Sequence, residues 1–305
     1  MNKLFAIIHE DAELLVVNKP AGLVCHPTKG DEFSSLISRA RLYLKTENLK
    51  LETSPTRPST LNSQPSTHLI NRLDSETSGG VIIAKNSEVA GELGKIWESR
   101  AVQKDYLAIV HGHVRDDHGL IDAPLGKDER SIVAVKDCVR PDGAPAQTEF
   151  WVERRFSRSD FPNYEGMWND KFLRHGGGQI PLSAACGEEG RGEVAPSAIR
   201  HPPSSFSLLR LIPRTGRKHQ IRIHLAHLGH SIVGDKLYGG DEDLYLALVE
   251  NRLTPEQRAR LMLPHHALHA RAVRFTWRGR PMEFCCEPEP WFAGFCDANT
   301  ADYRE

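Results

Sequence analysis

The stretch that decides the fold of this chain runs from residue 68 to residue 84 and reads HLINRLDSETSGGVIIA. Its last four residues are a short apolar run that predicts a β-strand, and the glycines before them permit close approach of another backbone or a ligand. The preceding loop holds Asp74, whose ordinary pKa of about 3.9 makes it a candidate nucleophile at neutral pH. On spacing alone, the pattern favours a structural interpretation, in which Asp74 and Thr77 cap a turn and Arg72 is a solvated charge.

Helices and strands are both predicted on either side of this loop. Apolar or alternating runs predict strands within residues 4–24 and over Val102–Val110, Gln147–Val152 and Ser207–Ile212, and a closing hairpin from Leu268–Trp277 and Pro281–Cys285. Helical spacing predicts helices over Ser34–Lys45, Ser87–Arg100 and Arg217–Leu228, and two more within Asp241–Arg260 that divide near Thr254.

Two segments lack the composition of a packed core. Residues 46–67 contain three prolines and many Ser and Thr residues, which predicts a loop or linker. Residues 156–205 include three consecutive glycines and little periodicity, and a long stretch of this kind is uncommon inside a compact domain. We expect both segments to be insertions into one domain that spans residues 1–305.

Composition excludes several classes of protein. The chain has 305 residues with 39 Lys and Arg against 40 Asp and Glu, so a wholly basic nucleic-acid binder is not expected. The apolar run at the N-terminus is too short to form the core of a signal peptide. No run in the sequence approaches the roughly 18 apolar residues of a membrane span. The six cysteines show no Cys-x-x-Cys spacing. These features predict a cytoplasmic protein with reduced thiols.

One region is locally basic despite the near-zero net charge. No Asp or Glu occurs from Val194 to Gly234, and the same stretch contains six Lys or Arg residues and five His residues. A solvated helix face would instead show alternating signs. We therefore predict an anion-binding or nucleic-acid-binding surface here, carried by the basic residues near the start of the predicted helix, Arg214, Arg217, Lys218 and His219.

Five ordered motifs resemble those of the RluA-type RNA pseudouridine synthases. They are Asn18–Gly22, the His68–Gly79 loop, Lys104–Gly112, Pro213–His224 together with Gly234–Gly239, and Leu268–Ala270. The resemblance covers most of the chain and leaves out the two predicted insertions. It implies an α+β fold with a central, mixed but largely antiparallel sheet and flanking helices. It also implies isomerisation of uridine to pseudouridine in ribosomal or transfer RNA, with no metal or organic cofactor.

The resemblance assigns roles to particular residues. Asp74 matches the catalytic aspartate, Arg222 the arginine that pairs with it, and Tyr106 the active-site tyrosine that packs against the base. Arg72 matches an arginine proposed to enter the stack that the target nucleotide leaves. Asn71 stands where the family usually has His, and an amide keeps the neutral hydrogen-bonding capacity of that position. The cleft is expected between the Asp74 loop and residues 210–224.

Other interpretations of the sequence remain open. The 15 histidines suggest a metal hydrolase, but His224 and His230 would lie about 120° apart on a helix and no His-Glu-x-x-His motif is present. A second alternative is a non-catalytic RNA-binding protein on the same fold. Because only one predicted strand precedes Asn18, we expect no separate N-terminal RNA-binding domain. A monomer is the default expectation for the oligomeric state.

Overall fold

A computed structural model of the chain describes residues 5–27, 34–52, 66–157 and 205–297, with the side chains of residues 47–52 left out. The strands are β1 (Ala6–Glu10), β2 (Leu14–Lys19), β3 (His68–Leu69), β4 (Ser78–Ala84), β5 (Gln103–His111), β6 (His118–Asp122), β7 (Leu125–Lys127), β8 (Asp137–Val139), β9 (Gln147–Ser157), β10 (Ser205–Pro213), β11 (Leu268–Trp277) and β12 (Arg280–Cys285). The helices are α1 (Leu36–Glu52), α2 (Ser87–Glu98), α3 (Gln220–His227), α4 (Asp243–Val249), α5 (Pro255–Leu261) and α6 (Pro290–Asp297).

Ten of these strands form one mixed sheet, which confirms the predicted α+β class. Its order is β1-β2-β4-β11-β5-β10-β9-β6, with β3 added to β4 and β12 to β11. Among the described strands, β4 and β11 are the one parallel pair of this sheet. At this junction the positive φ of Gly79 and the closeness of Ala270 require glycine, since an added Cβ would lie 2.3 Å from the Ala270 carbonyl oxygen.

The sheet is covered on both faces. Leu15 and Val17 of β2 pack with α1, whereas Leu14 and Val16 point the other way and pack with α2 and the β11–β12 hairpin. A third cluster joins β5 and β10 to α3 and α6. This burial on both faces explains the uninterrupted apolar runs of β2 and β4. Within the described ranges, no helix combines the length and apolar composition that crossing a bilayer requires.

The prediction of a loop over residues 46–67 is wrong at its start, because α1 continues to Glu52. Residues 46–52 contain no proline or glycine, so nothing ends the helix there, and the Thr46 hydroxyl bonds back to the Leu42 carbonyl. The rest of that segment that precedes Ser66 lies outside the described residues. At the ends of the predicted insertion at 156–205, Ser157 of β9 pairs with Ser205 of β10, and residues 158–204 lie outside the described residues.

Other boundaries also differ from the predictions. The predicted helix from Arg217 begins only at Gln220, because His219 adopts a left-handed conformation with φ of 55° and the preceding residues form a turn. No elements were predicted between Val110 and Gln147 or after Cys285, where β6, β7, β8 and α6 occur. These elements are short, and three to eight residues carry too little periodicity to identify them.

Candidate active site

The loop between β3 and β4 presents Asp74. Asn71 fixes the loop to β4, because its side-chain amide donates to the Gly80 carbonyl and its carbonyl oxygen accepts from the Ile82 amide, both at 2.9 Å. The Cys25 sulfur lies 3.4 Å from both the amide nitrogen and the carbonyl oxygen of Leu73. The loop is therefore held on both sides of the residue that it presents.

Asn71→Ala should lower the free energy of unfolding by about 1–3 kcal/mol, because it leaves a part-buried amide and carbonyl without their partner. Urea denaturation of the purified variant checks this value. Gln103→Ala, at an exposed position of β5, serves as the control and should leave stability within about 0.5 kcal/mol. An Asn71→Ala protein as stable as the wild type would contradict the view that this amide anchors the loop.

Two buried lysines secure the residues that follow Asp74. The Lys19 ammonium donates to the carbonyls of Pro20, Leu23 and Ser75 at 2.8–2.9 Å, and burial lowers the pKa of Lys19 to about 8. The Lys236 ammonium lies 2.8 Å from the Glu76 carboxylate. The motifs Asn18–Gly22 and Gly234–Gly239 include these two lysines, but the sequence did not predict a role for either one.

Arg222 of α3 connects Asp74 to a second carboxylate. One terminal nitrogen of its guanidinium donates to Asp74 Oδ2 at 3.1 Å, and the other two nitrogens bind Asp235 at 2.7 and 2.9 Å. Asp235 is fully buried and also accepts from the amides of Leu237 and Tyr238. Asp235 thus fixes the plane of the guanidinium that faces Asp74, a role that the sequence analysis did not identify.

The surroundings of Asp74 keep it ionised. Burial alone would raise the pKa of Asp74, but Arg222, His219 and His266 together lower it below its ordinary value. The Asp74 side chain retains 31% of its exposure, so a ligand in the cleft can reach it. The carboxylate faces Arg222 and does not cap the turn, whose Thr77 hydroxyl instead bonds to His266 at 2.7 Å.

His219 lies beside this pair. One ring nitrogen is 2.9 Å from the Tyr238 hydroxyl and the other is 3.9 Å from Asp74 Oδ2. Burial lowers the pKa of His219, an effect that Asp74 only partly opposes, so the neutral imidazole dominates at pH 7. The Tyr238 ring also covers the Arg222 guanidinium at 5.0 Å. The left-handed conformation before α3 therefore turns His219 toward Asp74.

Tyr106 of β5 lines the same cleft from the sheet. Burial raises the pKa of Tyr106, and the negative charge of Asp74 raises it further, so its hydroxyl stays protonated at neutral pH. The ring offers a flat face and a polar tip to a ligand in the cleft. Asp74, Tyr106 and Arg222 are thus brought together from three distant parts of the chain.

The cleft has a volume of about 610 Å³, and its rim is basic. An adjoining cavity of about 170 Å³ shares Asp74 and Tyr106 with it and extends along the segment from Pro213 to Arg222. The two cavities lie between the Asp74 loop and that segment, where the cleft was predicted. The rim of the cleft includes the predicted binding residues Arg72, Arg217, Lys218 and His219. Arg214 is placed elsewhere, because its exposed guanidinium bonds to Glu149 and does not line the cleft.

The histidines do not form a metal site in the part of the chain that the structure describes. Both ring nitrogens of His224 are engaged, by the Thr148 hydroxyl at 2.8 Å and the Ala123 carbonyl at 3.0 Å. His230 bonds to the His111 carbonyl. Both histidines therefore bond to polar groups of the fold.

Comparison with solved structures identifies the same fold in two human proteins. Human RNA Pseudouridylate Synthase Domain Containing 1 matches with a TM-score of 0.61 at 20% identity, covering 96% of this chain and 88% of the other. Human RNA Pseudouridylate Synthase Domain Containing 4 matches with a TM-score of 0.58 at 22% identity, covering 94% and 90%.

Comparison of sequences identifies the family. Residues 13–227 match the family model described as RNA pseudouridylate synthase. The chain is 28% identical over 273 residues to the ribosomal large subunit pseudouridine synthase D of Nitrosomonas europaea, covering 88% of this chain and 57% of the relative. It is 29% identical over 237 residues to the dual-specificity RNA pseudouridine synthase RluA of Vibrio parahaemolyticus, covering 77% and 70%.

A third relative is the tRNA pseudouridine synthase C of Haemophilus ducreyi, which is 31% identical over 274 residues and matches over 88% of this chain and 84% of its own length. The chain spans 55% of another relative, an RNA pseudouridine synthase of Aquifex aeolicus. The family model covers more than half of the chain and includes Asp74, Tyr106 and Arg222. The chain therefore belongs to the RNA pseudouridylate synthase family and is of the RluA type.

Proposed function

We propose that this protein is an RNA pseudouridine synthase that isomerises specific uridines in ribosomal or transfer RNA, with Asp74 as its nucleophile. The observation that carries the proposal is the Asp74–Arg222 ion pair, at 3.1 Å, in a basic cleft that also contains Tyr106. Family membership supports the class of reaction, and the names of the relatives support the two classes of RNA.

The reaction is an isomerisation and requires no added reactant, metal or organic cofactor. The bond between C1′ and N1 of the uridine breaks, the uracil turns, and a bond forms between C1′ and C5. The proton on C5 is lost and N1 gains one. Asp74 adds either to C1′ of the sugar or to C6 of the uracil, and in both cases its carboxylate becomes a neutral ester in the intermediate.

This loss of charge has a consequence for Tyr106. The pKa of Tyr106 is raised first by burial and second by the negative charge of Asp74. If Asp74 adds to C6, it is still an ester when the C5 proton leaves, so the second cause is absent at that step and the pKa of Tyr106 is lower. If Asp74 adds to C1′, formation of the C1′–C5 bond releases the carboxylate before the proton leaves, and its charge again raises the pKa of Tyr106. We assign to Tyr106 both packing against the uracil and assistance in that proton removal.

The rim of the cleft supplies the contacts to RNA. Arg72 is exposed beside Asp74, and a planar cation there offsets part of the few kcal/mol that flipping a nucleotide out of its stack costs. The RNA strand is bound at the cleft by Arg217, Lys218 and His219. Arg214 lies on the outer side of the same loop, where it can contact RNA outside the cleft. The absence of Cys-x-x-Cys spacing in the sequence predicts reduced thiols, so we propose the cytoplasm as the location, and we propose a monomer.

Release of tritium tests the function. Purified protein is incubated with separate pools of unmodified ribosomal and transfer RNA transcripts that carry tritium at uridine C5. Formation of pseudouridine replaces the C5–H bond and releases the label to water, so we expect release from at least one pool. The pool that responds identifies the class of RNA.

The alternative function is non-catalytic RNA binding on the same fold. Its expected result is retention of RNA on a filter without release of tritium from either pool. That outcome would overturn the proposed activity and leave the basic cleft as a binding surface.

A further inference from the structure

A cation in the cleft has no role in the scheme above. Lys104 lies two residues before Tyr106 on β5, and both side chains line the cleft with Asp74. Alternate residues of a strand point to the same face, so Lys104 extends from the sheet beside Tyr106, about 7 Å from it along the strand. This spacing is comparable to the separation between a base and the backbone phosphate of the same nucleotide.

The ammonium of Lys104 lies close to Gly216 on the opposite side of the cleft, where an added Cβ would be 3.8 Å from Nζ. Within the described ranges, this ammonium forms no hydrogen bond and no ion pair. Burial lowers the pKa of Lys104, and no carboxylate in the described part of the chain opposes that effect. The side chain is therefore a partly desolvated cation that an anion in the cleft would stabilise.

The other basic groups of the cleft differ from Lys104 in this respect. Lys218 lies 3.0 Å from the Asp137 carboxylate, and Arg222 is held between Asp74 and Asp235. Arg72 and Arg217 are exposed, so water solvates their charges. Lys104 thus combines partial burial, a position beside Tyr106 and the lack of a counter-ion among the described residues.

We propose that Lys104 binds a backbone phosphate of the nucleotide that is flipped into the cleft. The phosphate supplies the missing negative charge, and an ammonium suits it because it binds phosphate as a point charge without a fixed geometry. Lys104 thereby fixes the distance between the RNA backbone and the Tyr106 ring. This inference rests on the proposed function, which supplies the flipped uridine as the substrate. The contact between Lys104 and the RNA backbone can be measured by binding, without turnover.

Binding as a function of salt tests this contact without turnover. An unmodified transfer RNA transcript is titrated with Asp74→Asn protein and with the same protein carrying Lys104→Met, Lys104→Arg or Lys95→Met. Loss of one phosphate contact should reduce the slope of log Kd against log salt concentration by about 0.7–0.9. We expect this reduction for Lys104→Met alone, since arginine keeps the charge and Lys95 is exposed on α2 outside the cleft.

Turnover by the single variant Lys104→Met gives a second, independent readout. We expect its KM for RNA to rise about tenfold at constant salt while kcat stays within about threefold, because the contact holds the strand and does not touch the reacting atoms. Lys104→Gln replaces the methionine variant if the latter fails to fold.

Two results for Lys104→Met would overturn the proposal. One is a slope of log Kd against log salt concentration equal to that of Lys95→Met, and the other is a fall in kcat with KM unchanged. A wild-type protein that releases no tritium would refute the proposed activity, and the binding slopes would still decide the role of Lys104.

Discussion

Asp74→Asn should abolish the release of tritium from RNA, with a fall in kcat of more than about 10³-fold. The amide has nearly the same shape as the carboxylate, but it is neutral and cannot add to C1′ or C6 as a nucleophile. Arg222 keeps its two bonds to Asp235 in the variant, so the cleft retains its geometry. The measurement is a single-turnover assay with enzyme in excess over labelled RNA.

Binding of RNA separates lost chemistry from lost structure. Because the phosphate contacts lie at the rim, the Kd of Asp74→Asn for RNA should stay within about threefold of the wild-type value at the same salt concentration. Asp116→Asn is the matched control, since Asp116 is exposed on a loop outside the cleft, and it should release tritium at the wild-type rate. Tritium release by Asp74→Asn at the wild-type rate would refute Asp74 as the nucleophile.

Asp235→Asn should lower both stability and turnover. Asp235 is fully buried and binds two nitrogens of Arg222. When Asp235 is neutralised, Asp74 is the one described carboxylate that still pairs with the buried Arg222 guanidinium. We expect the free energy of unfolding to fall by about 3 kcal/mol. Because the guanidinium would no longer hold Asp74 in place, kcat should fall about 10²-fold with a smaller change in KM.

Asp105→Asn is the matched control for this variant. Asp105 is also buried, adjacent to Tyr106 in sequence, and bonds Arg210 Nε at 2.8 Å, but its carboxylate does not line the cleft. This variant should lose stability and keep kcat within about twofold. If Asp235→Asn loses stability but keeps the wild-type kcat, Asp235 is not a positioning residue.

The acid limb of the stability curve gives a further readout. Burial alone would raise the pKa of Asp235, but Arg222 lowers it far below its ordinary value. In the unfolded chain that pKa is about 3.9, so Asp235 stabilises the fold above about pH 4, and this contribution is lost as the pH falls toward the folded value. Asp235→Asn should therefore show a shallower loss of stability between about pH 4 and pH 2 in denaturant titrations.

Local pattern was sufficient to predict most of the secondary structure. The β11–β12 hairpin and the two helices divided at Thr254 are confirmed, because their apolar periodicity and their cap or turn residues agree. The start of α3 was not predictable in this way, since His219 takes a left-handed conformation that the chain order does not indicate. Tertiary contacts to Tyr238 stabilise that turn.

The sequence by itself determined the fold class and the family and proposed Asp74, Tyr106 and Arg222 as site residues, because motifs are read directly in the chain order and local patterns follow from backbone geometry. Only the tertiary structure showed that Asp235 binds Arg222, that Lys19 binds three backbone carbonyls and that Lys104 lines the cleft. Asp74 and Arg222 are 148 residues apart, and their contact depends on how the sheet brings the loop to α3. Whether a charged side chain is paired, buried or free is set by such long-range contacts, which no spacing along the chain specifies.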